Sequence, residues 1–509
     1  MAKTIMIQGT CSNAGKSLFA AALCRVFRED GFRVAPFKSQ NMALNSAVTP
    51  DGLEIGRAQA MQAEAAGIAP DERMNPILLK PNSDTGSQLV LCGKPVGDYS
   101  AVEYQKKKKE LLSEVLKAYH SLAAEQDIMV IEGAGSPAEI NLRADDIVNM
   151  GLAEAVDAPV ILIGDIDRGG VFAALYGTVK LLSEAEQARI KGLVINKFRG
   201  DIKILEPGLR QIEALTEKPV LGVLPYRHFD LEDEDSLSER LRKTKAESEA
   251  LLRLAVIRLP RLSNFTDFDP LQAAPEVALS YVSSPAEIGA ADLLILPGSK
   301  STLEDLAWLK AQGFASCIRD FAASGHPVLS ICGGYQMLGE RISDPLHTES
   351  AHDAVEGLGY LPLTTTFAAR KHLRQVTADC AAFPFLGENI SVHGMRGYEI
   401  HMGDTTFAEE VCRPFRIVRA GNTEASVLDG AVSADGRIAG TYIHGIFDDD
   451  HFRRAVLNRL RARRGMEELP IQYRCGAEKE HAYDRLAATV QRSLDMDKLA
   501  AIIAAGDAR

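Results

Sequence analysis

In the first part of the chain, short apolar runs rich in β-branched residues alternate with stretches whose apolar residues recur at helical spacing. Strands that alternate with helices are typical of a mostly parallel sheet with helices on both faces. The pattern therefore predicts a doubly wound α/β domain over residues 1–228. Its predicted strands are Thr4–Gln8, Arg33–Phe37, Ile128–Glu132, Val160–Asp165, Gly192–Asn196 and Val220–Leu224.

The pattern changes after residue 228. A charged stretch poor in β-formers predicts a linker over 229–252, and a second α/β domain is expected over 253–450. Towards its end the spacing favours antiparallel strands, and a helical extension is expected over 451–509. The predicted strands are Leu254–Ile257, Val277–Val282, Leu293–Leu296, Val328–Ile331, Ile390–Val392, Tyr398–His401, Phe415–Val418 and Ile438–Ile443.

Composition narrows the class of protein. The chain has 509 residues, with 57 Lys plus Arg against 69 Asp plus Glu, a net charge of −12. This balance argues against a sequence-independent grip on nucleic acid and against an anionic membrane surface. No apolar run approaches the roughly 18–20 residues that a bilayer span needs. The eight cysteines form no CxxC pair, and no His cluster has zinc-ligand spacing. We expect a reduced cytoplasmic protein without a structural metal.

A glycine-rich loop follows the first predicted strand and precedes a helix. Such a loop presents backbone N–H groups to phosphate, and the helix N-terminus adds positive potential. Lys16 is expected to reach the β- and γ-phosphates of ATP, and the Ser17 hydroxyl to bind Mg²⁺. The spacing departs from GxxxxGK[ST], a form that resembles the dethiobiotin-synthetase and septum-site ATPase branch of P-loop proteins. The candidate loop residues are Gly9, Thr10, Asn13, Gly15, Lys16 and Ser17.

Polar residues at the ends of other predicted strands are candidates for the same site, because ligands bind beyond the carboxyl ends of parallel strands. Glu132 is the best candidate for a second Mg²⁺ ligand. Asp165 and Asp167 compete with Glu132 for that role. Of the pair Asp145 and Asp146, one could cap the next helix while the other faces metal or substrate. Asn196 ends a strand where this branch often reads adenine, with a buried turn asparagine as the alternative.

A second candidate site lies in the rear half of the chain. Cys332 follows a predicted strand and precedes two glycines and a helix, the arrangement of a nucleophile elbow. A thiolate needs a base, and His444, which also follows a strand, is the best candidate. The backbone N–H groups of Gly298 and Gly333 are expected to form an oxyanion hole. His401 is interpreted as structural or as facing the substrate.

Taken in order along the chain, these motifs resemble the cobyric acid synthase family, glutamine-dependent amidotransferases of cobalamin biosynthesis. The matching stretches extend from residue 4 to about residue 447, nearly nine-tenths of the sequence. They are Gly9–Ser17, Pro36–Ser46, Met74–Pro81, Gly135–Leu142, Asp165–Ala173, Ser263–Pro270, Ile331–Gln336, Gly397–Gly403 and Tyr442–Gly445.

The resemblance implies a dethiobiotin-synthetase-like P-loop domain followed by a class I glutamine amidotransferase-like domain. It implies amidation of the b, d, e and g carboxylates of adenosylcobyrinic a,c-diamide, with ATP (as its Mg²⁺ complex) and glutamine consumed in each round and no tightly bound cofactor. In ordinary class I glutaminases a Glu stands two residues after the His, but here that position is Ile446. A Cys–His dyad is therefore expected, and Asp448–Asp450 are not favoured as substitutes. Lys38, Gln40, Asn41 and Asp146 are candidates for substrate binding or acyl activation.

Three alternatives stay open. A partitioning-type ATPase explains the phosphate loop but leaves Cys332 and His444 without a role. An amidotransferase for another carboxylate, such as cobyrinic acid a,c-diamide synthase, shares the chemistry and differs only in its acceptor pocket. A binding module with an inactive glutaminase half is the third. The expected partners are small molecules (corrinoid, glutamine and ATP), with no nucleic acid or membrane, and a homo-oligomer stays open.

Overall fold

The computed structural model describes residues 2–82, 85–231, 252–350 and 352–505. The predicted linker at 229–252 therefore lies almost entirely outside the described residues. The chain divides into two compact units. Unit 1 comprises Met1–Ala43, Glu54–Ser236 and Lys479–Arg509, and unit 2 comprises Leu44–Leu53 and Leu237–Glu478. In the part of the chain described, no helix has the length and apolar character needed to cross a bilayer.

The strands, in chain order, are β1 (Lys3–Gly9), β2 (Val34–Phe37), β3 (Gln40–Met42), β4 (Ser46–Val48), β5 (Glu54–Gly56), β6 (Ile77–Pro81), β7 (Gly86–Leu91), β8 (Lys94–Ser100), β9 (Ile128–Glu132), β10 (Val160–Asp165), β11 (Ile190–Phe198), β12 (Val220–Pro225), β13 (Leu252–Ile257), β14 (Val277–Val282), β15 (Leu293–Leu296), β16 (Val328–Ile331), β17 (Arg341–Ser343), β18 (Ala354–Glu356), β19 (Leu363–Phe385), β20 (Glu388–Phe407), β21 (Phe415–Ala420), β22 (Thr423–Asp429), β23 (Ala431–Val432) and β24 (Ile438–Thr441).

The α-helices within the described residues are α1 (Lys16–Glu29), α2 (Arg57–Ala66), α3 (Ala101–Ala123), α4 (Met150–Ala155), α5 (Val171–Leu181), α6 (Glu184–Arg189), α7 (Ile202–Thr216), α8 (Asp269–Ala273), α9 (Thr302–Ala311), α10 (Phe314–Ala323), α11 (Gly333–Met337), α12 (Asp450–Arg463), α13 (Cys475–Ser493) and α14 (Met496–Ala505).

Unit 1 is built on a parallel sheet with the strand order β12-β11-β10-β1-β9-β2. β9 is buried along its whole length and β1 along nearly all of its length, as expected for strands covered on both faces. The small side chains of α1 pack closely on this sheet, and Ala482, Tyr483 and Val490 of α13 join the same core. The predicted doubly wound fold is confirmed, and the predicted bounds of the domain, 1–228, stay a prediction. The sequence analysis did not predict a further small sheet formed by β3, β6, β7 and β8.

Unit 2 has its own main sheet, with the order β14-β13-β15-β16-β24-β23, parallel except at the β23–β24 pair. A second, mostly antiparallel sheet contains β17–β22. The prediction that Ile438–Ile443 belongs with the antiparallel strands is confirmed only for its pairing with β23 and is wrong for its pairing with β16. β24 pairs parallel with β16, in register from Val328 against Ile438. This pairing brings the residues that follow both strands to the same edge of the sheet.

Candidate functional site

The phosphate loop of unit 1 contains two residues whose backbone lies in the left-handed region of φ and ψ. Asn13 has φ 61° and Gly15 has φ 94°, so the chain turns sharply before α1 begins. A Cβ on Gly15 would collide with the Asn196 amide, which requires glycine at that position. The Lys16 ammonium donates to the carbonyls of Cys11 (3.0 Å) and Gly135 (3.3 Å) and is therefore held across the loop.

Glu132 lies at the centre of the candidate nucleotide site. Its Oε1 accepts from the Ser17 hydroxyl at 2.8 Å and from the Lys38 ammonium at 3.0 Å. Its Oε2 accepts from Gln62 Nε2 at 2.6 Å. Burial alone raises the pKa of Glu132, but Lys38, Gln62 and Lys16 together hold it below its ordinary value. The carboxylate is therefore ionised and ready to neutralise a cation.

The oxygen atoms of Ser17 and Glu132 fit a magnesium ion, which prefers one or two protein oxygens together with phosphate and water. Among the described residues, no three His, Cys, Asp or Glu side chains gather as a metal site. A cation here would therefore depend on the phosphates of the nucleotide. Gln62 of α2, which also donates to the Ser17 carbonyl at 3.2 Å, was missed by the sequence analysis.

Asn196 shapes the phosphate loop. Its amide Nδ2 donates to the Ala14 carbonyl at 2.9 Å, and its Oδ1 accepts from the N–H of Lys197 at 2.8 Å. Lys197 in turn donates to the Asn13 carbonyl (2.6 Å) and to Asp165 (3.0 Å). The competing carboxylate Asp165 is thus paired with a lysine that supports the loop. Contact of Asn196 with adenine stays a prediction.

Asp146 accepts hydrogen bonds from three backbone N–H groups, those of Val148 (2.8 Å), Asn149 (2.9 Å) and Gly151 (3.1 Å). These contacts tie the turn that leads into α4, which favours the capping alternative. Its neighbour Asp145 forms an ion pair with Lys109 at 3.2 Å.

Two further substrate candidates stand on β3. The Gln40 side chain accepts from the Tyr104 hydroxyl at 2.5 Å. The buried Asn41 amide donates to Gln59 at 3.0 Å. With Lys38 they form a polar segment of unit 1 directly before the chain enters unit 2.

Cys332 of unit 2 stands between β16 and α11 with φ 54° and ψ −112°. A non-glycine residue in such a conformation costs roughly 1–3 kcal/mol, and surrounding contacts must maintain it. The Cys332 N–H donates to the Thr441 carbonyl at 2.9 Å, and its Sγ contacts the Ile400 carbonyl at 3.5 Å. A Cβ on Gly334 would collide with the backbone of Leu296. The chain therefore turns sharply at Cys332 between β16 and α11, and the role of Cys332 as a nucleophile stays a prediction.

The two oxyanion-hole candidates, Gly298 and Gly333, lie close to His444 and to the loop after β15, respectively. A Cβ on Gly333 would stand 3.0 Å from the backbone nitrogen of Ser299. A Cβ on Gly298 would stand 3.5 Å from Cε1 of His444. The loop after β15 therefore borders both the elbow and the imidazole. The formation of an oxyanion hole by these N–H groups stays a prediction.

The imidazole of His444 is fully buried, and its Nδ1 lies 2.7 Å from Oδ2 of Asp267. The other Asp267 oxygen accepts from the N–H of Gly445 at 3.0 Å. The ring of Tyr398 stacks on the imidazole at 5.0 Å between centroids. The expected dyad is therefore corrected, because a carboxylate 177 residues earlier in the chain completes the arrangement.

The electrostatics of this site favour a protonated imidazole. Burial disfavours the charged ring, but Asp267 and the Cys332 thiol outweigh it and raise the pKa of His444 to about 10. Nε2 of His444 forms no hydrogen bond of ordinary geometry within the described chain and is left to face the thiol. An imidazolium fixed by a carboxylate stabilises a neighbouring thiolate.

Two of the acidic residues that follow His444, Asp449 and Asp450, stabilise the first turn of α12. Asp449 accepts from the N–H groups of His451 and Phe452, and Asp450 forms an ion pair with Arg453 at 2.8 Å. Neither reaches Nδ1 of His444, because Asp267 occupies that position.

His401 is buried between His372 and Tyr442, with ring centroids at 4.8 and 3.8 Å. Burial and the nearby imidazoles lower the pKa of His401 to about 3, so it is neutral. The packing favours a structural role under the thiol site.

Two protein-family models match successive parts of this chain. Residues 5–236 match the family described as the CobQ/CobB/MinD/ParA nucleotide binding domain. Residues 253–452 match the CobB/CobQ-like glutamine amidotransferase domain. The protein thus belongs to the class of ligases that join a nucleotide-binding domain to a glutamine amidotransferase domain.

Curated relatives narrow this class. A cobyric acid synthase from Yersinia enterocolitica is 52% identical over 501 residues, which cover 97% of each chain. Another from Citrobacter koseri is 51% identical over 504 residues, or 99% of each chain. A third, from Salmonella arizonae, is 51% identical over 505 residues, again 99% of each chain. The chain belongs to the cobyric acid synthase family.

Proposed function

We propose that this chain amidates the b, d, e and g carboxylates of adenosylcobyrinic a,c-diamide to give adenosylcobyric acid. Each amidation consumes one ATP, bound with Mg²⁺, and one glutamine. Nitrogen is released as ammonia at Cys332 and His444 and is consumed at the nucleotide site of unit 1. The choice of acceptor is supported by cobyric acid synthases that are 51–52% identical to this chain over 97–99% of its length.

One observation carries the chemistry. A single chain holds both a phosphate loop with Ser17 on Glu132 and a buried cysteine elbow with His444 on Asp267. The first arrangement suits phosphoryl transfer, and the second suits nucleophilic attack on an amide. A partitioning-type ATPase would require only the first, so it does not account for the second.

In unit 1 the acceptor carboxylate must be activated, because ammonia cannot displace oxide from it. A carboxylate oxygen attacks the γ-phosphorus of ATP, the bond to the β-phosphate oxygen breaks, and ADP leaves with an acyl phosphate formed. Lys16 stabilises charge on the transferring group, and Lys38, whose ammonium contacts Glu132, is the candidate to neutralise the acceptor carboxylate or phosphate. Ser17 and Glu132 would hold Mg²⁺, which neutralises phosphate charge when bound.

In unit 2 the Cys332 sulfur attacks the side-chain amide carbon of glutamine. The carbon–nitrogen bond breaks as His444 gives a proton to the leaving ammonia, and a thioester forms. Water then hydrolyses the thioester to glutamate and the free thiol. Asp267 acts through His444 as a positioning residue, since it fixes the ring and supports its charge.

Ammonia finally attacks the acyl phosphate carbon in unit 1, and phosphate leaves. The new amide loses one proton. Gln40 and Asn41 are the candidates for acceptor recognition, because they stand on β3, two and three residues after Lys38.

The test is incubation with amide-labelled glutamine and MgATP, with adenosylcobyrinic a,c-diamide and cobyrinic acid offered in parallel. We expect successive carboxyl-to-amide mass changes on the diamide, each carrying the label. Labelled amides only at the a and c positions of cobyrinic acid would instead indicate the a,c-diamide synthase activity. Absence of glutamine hydrolysis with either acceptor would contradict the proposal.

A further inference from the structure

A short loop of the front half of the sequence belongs to the rear unit. Leu44–Leu53 is part of unit 2, whereas the chain on either side, up to Ala43 and from Glu54, is part of unit 1. We call this segment the inserted loop. Both of its ends are anchored in unit 1 by buried ion pairs. Upstream, Lys38 contacts Glu132 at 3.0 Å, and downstream Glu54 contacts Lys80 at 2.6 Å.

The inserted loop holds the turn that carries Asp267. The side-chain oxygen of Asn45 accepts from the N–H of Phe265 at 3.2 Å. In the opposite direction, the side-chain oxygen of Asn264 accepts from the N–H of Ser46 at 3.0 Å. The two asparagines and Ser46 are buried. These reciprocal contacts fix the 3₁₀ turn Phe265–Phe268, in which Asp267 stands.

The same loop contacts the strand on the other side of the imidazole. Val48 packs with Tyr398 and Ile400, and its carbonyl accepts from Gln375 Nε2 at 2.8 Å. Tyr398 stacks on His444, and the Ile400 carbonyl contacts the Cys332 sulfur. The inserted loop therefore touches both structures that position the thiol site.

We propose that the inserted loop is a positioning element that holds Asp267 on His444 and couples glutamine hydrolysis to the state of the nucleotide and acceptor site. This inference rests on the proposed function. Residues 39–44 alone separate Lys38 from Asn45. A displacement of Lys38, as Glu132 exchanges it for other partners, is passed along β3 to the two asparagine contacts. Glutamine hydrolysis is then fastest when an acceptor carboxylate is bound in unit 1.

The test compares Asn45→Ala and Asn264→Gly with the parent chain. Glycine is chosen at residue 264 because the φ of Asn264, 52°, lies in the left-handed region, so that the side chain with its acceptor oxygen is removed without backbone strain. We expect kcat for glutamine hydrolysis to fall about tenfold, a loss of about 1.4 kcal/mol of transition-state stabilisation, because one buried hydrogen bond that positions Asp267 is removed. KM for glutamine and ammonium-dependent amidation should stay unchanged. The stimulation of hydrolysis by MgATP plus corrinoid should fall towards one.

Asn45→Asp keeps an acceptor oxygen and should restore much of the rate. Asp51→Ala, an exposed position of the same loop, should match the parent chain in every assay. Because Asp267 supports the charged imidazole, the alkaline limb of the pH profile for hydrolysis should move to lower pH in Asn45→Ala.

Unchanged hydrolysis and unchanged stimulation in both Asn45→Ala and Asn264→Gly would overturn the inference. Loss of ammonium-dependent amidation in both would also overturn it, because the loop would then be structural for unit 1. Failure of the proposed function is recognised separately: Cys332→Ser would still hydrolyse glutamine.

Discussion

The two sites are assembled in different ways. In unit 1, Ser17 and Glu132 follow or end neighbouring parallel strands, β1 and β9, so the order of the sheet brings them together. In unit 2, Cys332 and His444 follow the neighbouring strands β16 and β24, but Asp267 comes from a turn beyond β13. Strand order therefore predicts which residues share an edge of the sheet. It does not predict which loop reaches the reactive ring.

The largest expected effect is that of Cys332→Ser on glutamine-driven amidation. Without the thiolate nucleophile the glutamine-driven rate should fall by about 10⁴-fold or more, while ammonium-driven amidation should persist. The measurement is amide formation with each nitrogen source. If the variant lost both activities while remaining folded, the separation of the two sites would be contradicted.

Lys16→Ala should have the next largest effect. Loss of a positive charge at the transferring phosphoryl group is expected to slow amidation about a hundredfold or more with either nitrogen source. Basal glutamine hydrolysis should continue, because the Lys16 ammonium is bound by the carbonyls of Cys11 and Gly135, both in unit 1. Intact ammonium-driven amidation in this variant would argue against activation at residues 9–17.

Asp267→Asn tests whether the carboxylate that is distant in sequence supports His444 in unit 2. The charged hydrogen bond to His444 is worth roughly 1.5–3 kcal/mol, so kcat for glutamine hydrolysis should fall about ten- to hundredfold. Ammonium-driven amidation should be unaffected. An equal loss from Asp449→Asn, the neighbouring cap of α12, would show that the effect is not specific to Asp267.

The same variant has a pH signature. The pKa of His444 is raised from 6.5 to about 10 in the folded chain, so the stabilisation from its charged form is fully present below about pH 6.5. It is lost as pH rises through 10. The difference in unfolding free energy between the parent chain and Asp267→Asn should therefore be largest below about pH 6.5, decline steadily above it and be nearly gone by about pH 10. A difference that grows with pH would contradict this assignment.

The smallest effect concerns Asp146. If it caps the turn before α4, Asp146→Ala should cost about 0.5–2 kcal/mol of stability, measured by chemical unfolding, with kcat for amidation unchanged. Asp146→Asn, which keeps an acceptor oxygen, should cost less. Lost amidation at unchanged stability would return Asp146 to the substrate candidates.

Much of the fold is predictable because both main sheets are parallel and buried. The run Thr4–Gln8 predicts β1, observed as Lys3–Gly9, and Val328–Ile331 matches β16 at both ends. The direction of β24 was not predictable from its residues, because a short buried strand reads alike in parallel and antiparallel pairs. The small sheet that includes β3 was not predicted, because β3 has only three residues and β6 shows no alternation of buried and exposed positions.

The missed site residues differ in the signal they offered. Asp267 lies in the stretch Ser263–Pro270 that the family resemblance marks, and a carboxylate there follows a predicted strand. Its pairing with His444 nevertheless depends on a turn held by residues more than two hundred positions earlier. Gln62 offered no signal, because it stands in an alanine-rich helix and its buried partner, Glu132, is seventy positions away.

The most direct measurement follows the nitrogen. The chain is given amide-labelled glutamine, MgATP and the corrinoid diamide, and the isotope content of the product amides is read by mass spectrometry beside that of Cys332→Ser and Lys16→Ala. We expect labelled amides from the parent chain, unlabelled amides from Cys332→Ser only when ammonium is added, and at most about a hundredth of the parent yield from Lys16→Ala. Labelled product from Cys332→Ser would contradict it.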